Sequence, residues 1–463
     1  MNEPLTMTTP PTPPEAIPTR VHLIGIGGMA LSAIAGVLLE RGSQVSGSDM
    51  AASPYTDRLR SAGTTVHIGH AAENVPAADL VVFSAAVPAD NPELLRAREL
   101  GIPILRRAEF IGRLLDQRRG VAVAGTHGKT TTTAMLATIL KRAGRDPGYL
   151  IGASVPDLNG NSAWGSDPEF VIEADEYDSA FLEYRPQIAV INHLEPDHLD
   201  YFGSFDRILD EFRQFAAAVR SDGLLIARSG IPTIDAIAAA TNCLVQRFGP
   251  GGDWQVSDFV DEAWGSAFTI IDPDGHRHPA RLHLPGRHNA CNALAAVAAA
   301  VAIGLTAPAA IIGLAAFRGA DRRFELLAEA RGIRVVTDYA HHPTEVRATL
   351  AAAVGTGARR VWAIFQPHLR SRTEAFFDDF AAAFGDADRV TITEIFSPPG
   401  RETGTLSGAD LAAAIPGSAG FTANLDAGYE QITAETRPGD LLILIGAGDI
   451  NRLAERLARW LQA

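Results

Sequence analysis

Residues 120–140 read GVAVAGTHGKTTTTAMLATIL. A Val/Ala run short enough for one buried strand meets a Gly-Thr-His-Gly-Lys turn. The spacing then predicts a helix, with apolar Met135, Leu136, Ile139 and Leu140 on one side and a stop at Gly144. A phosphate-binding loop needs this strand–loop–helix setting. Glycines let backbone N–H groups converge on phosphate oxygens, and the helix N-terminus adds partial positive charge. Lys129 can reach the terminal phosphates, and Thr130 can offer a hydroxyl to Mg²⁺. The pattern G-x-x-x-x-G-K-[ST] would want glycine at 123, where Val123 stands, so the loop is a shortened variant.

Lysine usage points to the same place. Of 40 Lys and Arg residues, only Lys129 and Lys141 are lysine. Lysine persists where a compact ammonium, rather than a planar guanidinium, fits among phosphates; Lys141 reads as a solvated helix-end residue. At 463 residues, 46% apolar and 20% charged, the chain has the make-up of a globular protein of two to four domains. A formal charge of −14 argues against nucleic acid or an anionic membrane as the main partner. Cys243 and Cys291 cannot make a disulfide framework or a zinc site, which suits a reducing cytoplasm. Residues 1–18 are Pro/Thr-rich and read as a disordered tail, and no apolar run approaches a membrane span.

Each third of the chain carries a glycine-rich turn after a hydrophobic strand, which predicts three α/β domains. In 21–42, VHLIGIGGMALSAIAGVLLERG, Gly25, Gly27 and Ala30 fit G-x-G-x-x-G/A, and strand-like QVSGSD follows to Asp49. Together these suggest a dinucleotide or nucleotide-diphosphate site in a domain spanning 19–118. The central domain, 119–317, includes FVIEADEYD (170–178) and IAVINHLEPDHLD (188–200), apolar strands ending abruptly in carboxylates and a histidine. Ligands of open α/β sheets bind beyond the carboxyl ends of strands. Glu173, Asp175, Glu176, Asp197, His198 and Asp200 are therefore expected to gather where a nucleotide's Mg²⁺ would sit. PGRHNACNALAAVAAA (285–300) opens an Ala-rich helix with polar His288, Asn289 and Asn292.

The last domain, 318–463, has strands at 334–340, 360–365, 389–396 and 441–449. Its turns carry DRRFE, DYAHHPTE, FQPHLRSRT and GAGDI. Paired His341 and His342 with Asp338 raise a metal site, but the spacing is wrong for a helix-borne zinc site and favours a ribose- or phosphate-contacting loop. Arg370 and Arg372 follow a strand end, where a carboxylate or phosphate could be gripped bidentately.

In this order GIGG, GTHGKTTT, EADE-D, EPDHLD, GRHNACNALAA, DYAHHPTE, FQPH-SRT and GAGDI resemble the Mur ligases, the ATP-dependent amino-acid-adding enzymes of peptidoglycan synthesis. The resemblance runs from about residue 20 to near the end, and is nearest to the branch that joins L-alanine to UDP-N-acetylmuramate. It implies an N-terminal Rossmann-like domain for the UDP-sugar, a central phosphate-loop ATPase and a C-terminal Rossmann-like domain for the amino acid. It also implies the chemistry: a lactyl carboxylate takes the γ-phosphoryl group of ATP, and the amine of alanine attacks the resulting acyl phosphate. Phosphate charge must be neutralised and two anions positioned; no protein nucleophile is required.

Carried over by residue, the resemblance gives Gly125, Thr126, His127, Gly128, Lys129, Thr130 and Thr131 to the ATP phosphates. His288 and Asn292 would meet adenine, and Arg323 and Asp338 phosphate or ribose. Thr130, Glu173 and His198 would hold Mg²⁺, with Lys129, Glu173 and His198 as the catalytic set. Gly25, Gly27, Gly28, Ala30, Asp49 and Ser84 fall to the UDP-sugar; Tyr339, His342, His368 and Arg372 to alanine, with Arg370 a solvated residue. The expected partners are these small molecules, with a monomer or homodimer as the assembly. Tyr177 replaces a family serine, and EADEYD is similar to the murein-tripeptide recycling ligase, the runner-up. His193 replaces asparagine, and LRSRT stands for RYSRT. No lysine lies between 142 and 463, so the carbamylated lysine of several sister ligases has no counterpart here. An NAD-dependent oxidoreductase would use Gly25–Ala30 and Asp49 but leaves GTHGKTTT and the acidic clusters without a role. A non-enzymatic nucleotide switch leaves the Arg/His-rich third domain without one.

Overall fold

The computed structural model describes residues 16–397, 404–417 and 419–463, so most of the expected 1–18 tail lies outside the described residues. The chain divides into two compact units: residues 1–120 with 183–185, and the remainder.

In the first unit, β1 (Arg20–Ile24), β2 (Gln44–Asp49), β3 (Thr65–Ile68), β4 (Leu80–Phe83) and β5 (Ile104–Arg106) form a parallel sheet of order β3-β2-β1-β4-β5. Val21, Leu23 and Ile24 of β1 are buried, as a strand covered on both faces requires. The glycine turn after β1 opens helix Met29–Glu40, and Gly25 takes φ +92°, a left-handed conformation that favours glycine. His22 is also fully buried in β1. Its Nε2 lies 3.4 Å from the Glu93 carboxylate, and its Nδ1 2.9 Å from Ser46 Oγ. Ser48 and Asn74 donate to the same carboxylate. One buried acid thus ties β1, β2 and the loop after β3 to helix Pro92–Glu99.

In the second unit, β6 (Arg119–Ala124), β7 (Gly148–Val155), β8 (Gly160–Ala163), β9 (Glu169–Glu173), β10 (Ile188–Ile191), β11 (Leu224–Arg228) and β12 (Leu244–Phe248) form a seven-stranded sheet. Its order is β12-β11-β10-β6-β9-β7-β8. Helix Lys129–Arg142, set by the phosphate loop after β6, packs with helix Arg287–Ala302 in one core. The alanines at 293, 295, 296 and 298–300 of the second helix are fully buried, and short side chains allow this close packing. A Cβ on Gly313 would meet the Ile139 backbone at 2.9 Å, so a third helix, Ala307–Leu314, approaches as closely. β13 (Gln255–Glu262), β14 (Gly265–Ile271) and β15 (Arg277–Leu282) form an antiparallel meander that the sequence reading did not anticipate.

The last sheet contains β16 (Glu325–Ala330), β17 (Ile333–Asp338), β18 (Arg360–Phe365), β19 (Arg389–Thr393), β20 (Gly420–Thr422) and β21 (Asp440–Ile445), in the order β16-β17-β21-β18-β19-β20. Only β16 runs antiparallel to its neighbour. Alternation sends Val336, Phe365 and Ile443 to one core and Val335, Ile364 and Leu444 to another, so helices cover both faces.

Burial pushes the Glu93 carboxyl up, but hydrogen bonds from His22, Ser48 and Asn74 outweigh it and hold the group at about 2. A depressed pKa stabilises the fold above the ordinary glutamate range and is lost as pH falls from about 4.5 towards 2. Glu93→Gln should therefore destabilise the first unit by about 2–3 kcal/mol at pH 7, and by less at pH 3. Native-state amide exchange of residues 20–106 at both pH values checks this; equal losses at both would remove the ionised carboxylate from the account.

Candidate functional site

The phosphate loop is held by close backbone approach. Thr126 N donates to His193 O at 3.0 Å, between the ends of β6 and β10. A Cβ on Gly125 (φ +133°) would meet the His193 backbone at 2.9 Å, and one on Gly128 (φ +80°) would meet Asn292 Oδ1 at 2.5 Å. Lys129 Nζ donates to Gly125 O at 2.7 Å and to both Glu176 oxygens, at 3.0 and 2.7 Å. Burial presses the ammonium down, but the charges of Glu176, Asp175 and Glu173 outweigh it and raise it, so it stays charged. Thr130 Oγ1 donates to Glu173 at 3.0 Å and accepts from Arg323 Nη2 at 3.0 Å. Burial pushes the Glu173 carboxyl up against the opposing charges of Arg323 and Lys129.

The loop opens onto a cavity of about 190 Å³ lined by His127, Gly128, Thr131, His288, Asn292, Arg323 and Asp338, all named from sequence as ATP residues. Asn192, His193, Arg228 and Glu345 also line it and were not named. Burial lowers His288 to about 4, leaving a neutral imidazole at neutral pH. Asp338 accepts from Phe324 N and Ala340 N, both at 2.8 Å, which holds the Arg323 turn against the end of β17.

Of the acidic groups expected to converge, Glu173 and Glu176 stand at the loop. Asp197 is instead committed to Arg372, whose Nε and Nη2 lie 3.2 and 3.0 Å from its Oδ1. Asp200 is exposed in the first turn of helix Leu199–Phe202, where an acid complements the helix dipole. His198 lies 3.5 Å from Arg372 Nη2 and is covered by the Tyr177 ring, 5.0 Å away between centroids.

Two readings around the alanine candidates need correction. Arg370 is not a solvated residue: it is half-buried and donates to the carbonyls of Gly404 and Leu406, at 3.1 and 2.6 Å. His342 is 4% exposed and caps helix Pro343–Gly355, its Nδ1 lying 2.9 Å from Glu195. The preceding histidine, His341, is the one beside Tyr339 and His368, at 5.3 and 6.3 Å between rings. Burial lowers His341 to about 3. Tyr339 lies under the guanidinium groups of Arg322 and Arg323, at 4.8 and 5.0 Å.

Glu195 was missed altogether. It accepts from Thr344 Oγ1 at 3.0 Å and pairs with His342 and with His127 Nε2, while His127 Nδ1 lies 3.0 Å from Glu345. Burial presses His127 down, but Glu345 and Glu195 raise it to about 10, so it is an imidazolium at neutral pH. In the first unit, Asp49 Oδ2 accepts from Gly27 N at 2.9 Å, and Ser84 Cβ lies 3.2 Å from where a Gly25 Cβ would stand. Asp49, Ser84 and the Gly25–Ala30 turn are therefore neighbours.

Three family models match in sequence: the Mur ligase family catalytic domain at 20–119, the Mur ligase middle domain at 123–300 and the Mur ligase glutamate ligase domain at 322–448. The chain is 43% identical to the UDP-N-acetylmuramate–L-alanine ligase of Symbiobacterium thermophilum, covering 96% of this chain and 95% of that one. It is 44% identical to the ligase of the same name from Renibacterium salmoninarum, covering 93% of each. Among solved structures, the UDP-N-acetylmuramate–alanine ligase of Thermotoga maritima superposes with TM-score 0.81 at 29% identity, over 96% of this chain and 99% of that one. A murein peptide ligase from Psychrobacter arcticus gives 0.70 at 31% identity, over 95% and 98%. Matched by three family models along most of its length, and carrying a phosphate loop whose cavity draws residues from the regions of the seven-stranded sheet and of the last, six-stranded one, the chain belongs to the Mur ligase family of ATP-dependent ligases.

Proposed function

We propose that the protein joins L-alanine to the lactyl carboxylate of UDP-N-acetylmuramate, with ATP as phosphoryl donor, in peptidoglycan precursor synthesis. The observation that carries this reading is Lys129, at the end of a loop that opens onto a cavity also walled by Arg323 and Asp338 of the last third. The names and near-complete coverage of the relatives support the acceptor and the amino acid. Residues 19–118 bind the sugar nucleotide through the Gly25–Ala30 turn, Asp49 and Ser84; 119–317 bind ATP; 318–463 bind the amino acid.

The lactyl carboxylate attacks the γ-phosphorus, releasing ADP and leaving an acyl phosphate. The alanine amine then attacks the acyl carbon, and the tetrahedral intermediate collapses to amide and phosphate. Lys129 exchanges Glu176 for phosphate oxygens and neutralises charge as it shifts to the leaving group. Arg323, beside Thr130, does the same from the opposite wall. Neutral His288 with Asn292 meets adenine. His341 accepts a hydrogen bond from the alanine amine, and Arg372 takes its carboxylate. The donor set at the loop fits Mg²⁺: a hydroxyl and a half-buried carboxylate 3.0 Å apart. Thr130, Glu173 and His198 would hold the ion, which when bound supplies further neutralisation of phosphate charge. No described helix is long and apolar enough to cross a membrane, in keeping with nucleotide-linked substrates in the cytoplasm. Incubation with ATP, Mg²⁺ and UDP-N-acetylmuramate tests the whole reading. Phosphate release should depend on L-alanine and not on a murein tripeptide; the reverse would make the protein a recycling ligase.

Lys129→Ala should lower kcat roughly a thousandfold or more while leaving UDP-sugar affinity near normal. Turnover within tenfold of wild type would sink the phosphate-loop assignment.

Glu173→Gln and His198→Ala should each raise the Mg²⁺ concentration needed for half-maximal rate. An unchanged Mg²⁺ dependence in both would leave them only loop-ordering roles.

Arg372→Lys keeps the charge but loses the planar fork, so the alanine KM should rise about 5- to 150-fold with ATP KM little changed. His341→Ala should also raise the alanine KM. If neither variant moves it, the amino acid is held elsewhere.

A further inference from the structure

Beside the nucleotide cavity stands a second group of ligand-type side chains that the reaction above does not use as a metal site. His127 Nε2, Glu195 and His342 Nδ1 offer donor atoms all within 4.8 Å of one another. Two imidazoles and a carboxylate make a donor set that suits Zn²⁺ and its borderline neighbours, whereas Mg²⁺ prefers an all-oxygen shell.

We propose that His127, Glu195 and His342 bind a divalent transition-metal ion of the Zn²⁺ class, at a position separate from Thr130 and Glu173. Ligand atoms about 2.1 Å from a tetrahedral ion stand about 3.4 Å apart. His342 Nδ1 and the Glu195 oxygen are 2.9 Å apart, so rotation of side chains is enough to open the site. The ion takes the place of the proton that Glu195 shares with His127, and displaces the 3.4 Å helix-cap bond from Thr344 N to His342.

Outer partners of the kind that orient metal ligands are already in place. His127 turns its other nitrogen to the Glu345 carboxylate at 3.0 Å, and Thr344 Oγ1 donates to the second Glu195 oxygen at 3.0 Å. His127 and Glu195 belong to the central part of the unit and His342 to the last third. The ion therefore links the two across the cavity rim and fixes a residue of the phosphate loop.

The test is titration of the metal-stripped full chain with Zn²⁺ in excess Mg²⁺ without nucleotide, and with Co²⁺ for its spectrum. One site per chain should survive Mg²⁺. It should be lost in Glu195→Gln and in His342→Gln, which keeps an accepting side chain at the helix cap. Glu345→Gln should weaken it about 10–100-fold. Asp272→Asn, in the exposed Asp272–Asp274–His276 group, should leave it unchanged. Wild-type Co²⁺ should give the intense visible bands of tetrahedral coordination, a readout that needs no variant. Zn²⁺ binding that Mg²⁺ abolishes, that persists in folded Glu195→Gln and His342→Gln, or that falls only in Asp272→Asn overturns the proposal. So does a weak octahedral Co²⁺ spectrum.

Discussion

Two α-carbons without side chains hold the centre of this molecule together. At Gly125 a methyl group would strike the backbone of His193, and at Gly128 the amide of Asn292. The first contact pins the loop to the end of β10; the second sets it against the helix that carries His288. Everything the loop presents, from the Lys129 ammonium to the Thr130 hydroxyl, is aimed by these approaches. The glycines are required twice over, by space and by positive φ, which is why a shortened loop can be as well placed as a longer one.

Around that loop the protein keeps charges buried and pairs them internally. Lys129 sits on Glu176, Arg372 on Asp197, and His127 between Glu195 and Glu345. A buried ion pair adds little net stability, but breaking one without replacement leaves an uncompensated charge. Anionic substrates that reach these cations compete with the carboxylates already on them, and a displaced Glu176 or Asp197 must then take a proton or another partner. The pairs thus keep cationic groups desolvated and near their working positions before the anions arrive.

Much of this was legible because it is local. The loop, its flanking strand and helix, and three of the four sheets follow from short-range patterns, and seven of the residues named for ATP line one cavity. The failures have long-range causes. Arg370 finds its carbonyl partners 34 and 36 residues away, and Arg372 its carboxylate 175 residues away; no periodicity announces such pairs. The meander of β13–β15 was missed because polar and apolar residues do not alternate cleanly in β13, where a bulge shifts the register. The choice between His341 and His342 could have been made earlier. Pro343 at the first helical position and Glu345 at the third mark His342 as the cap.

The scarcity of lysine has a practical side. The whole chain offers two side-chain amines, and one of them is locked under Glu176 in the site. The other, Lys141, lies at a helix end beside Asp146 and is about one-third exposed. Amine-directed reagents such as succinimidyl dyes and cross-linkers therefore meet one accessible lysine side chain on a 463-residue protein. The scaffold is nearly blank to that chemistry, and a lysine introduced at any chosen surface position becomes an addressable handle almost without background.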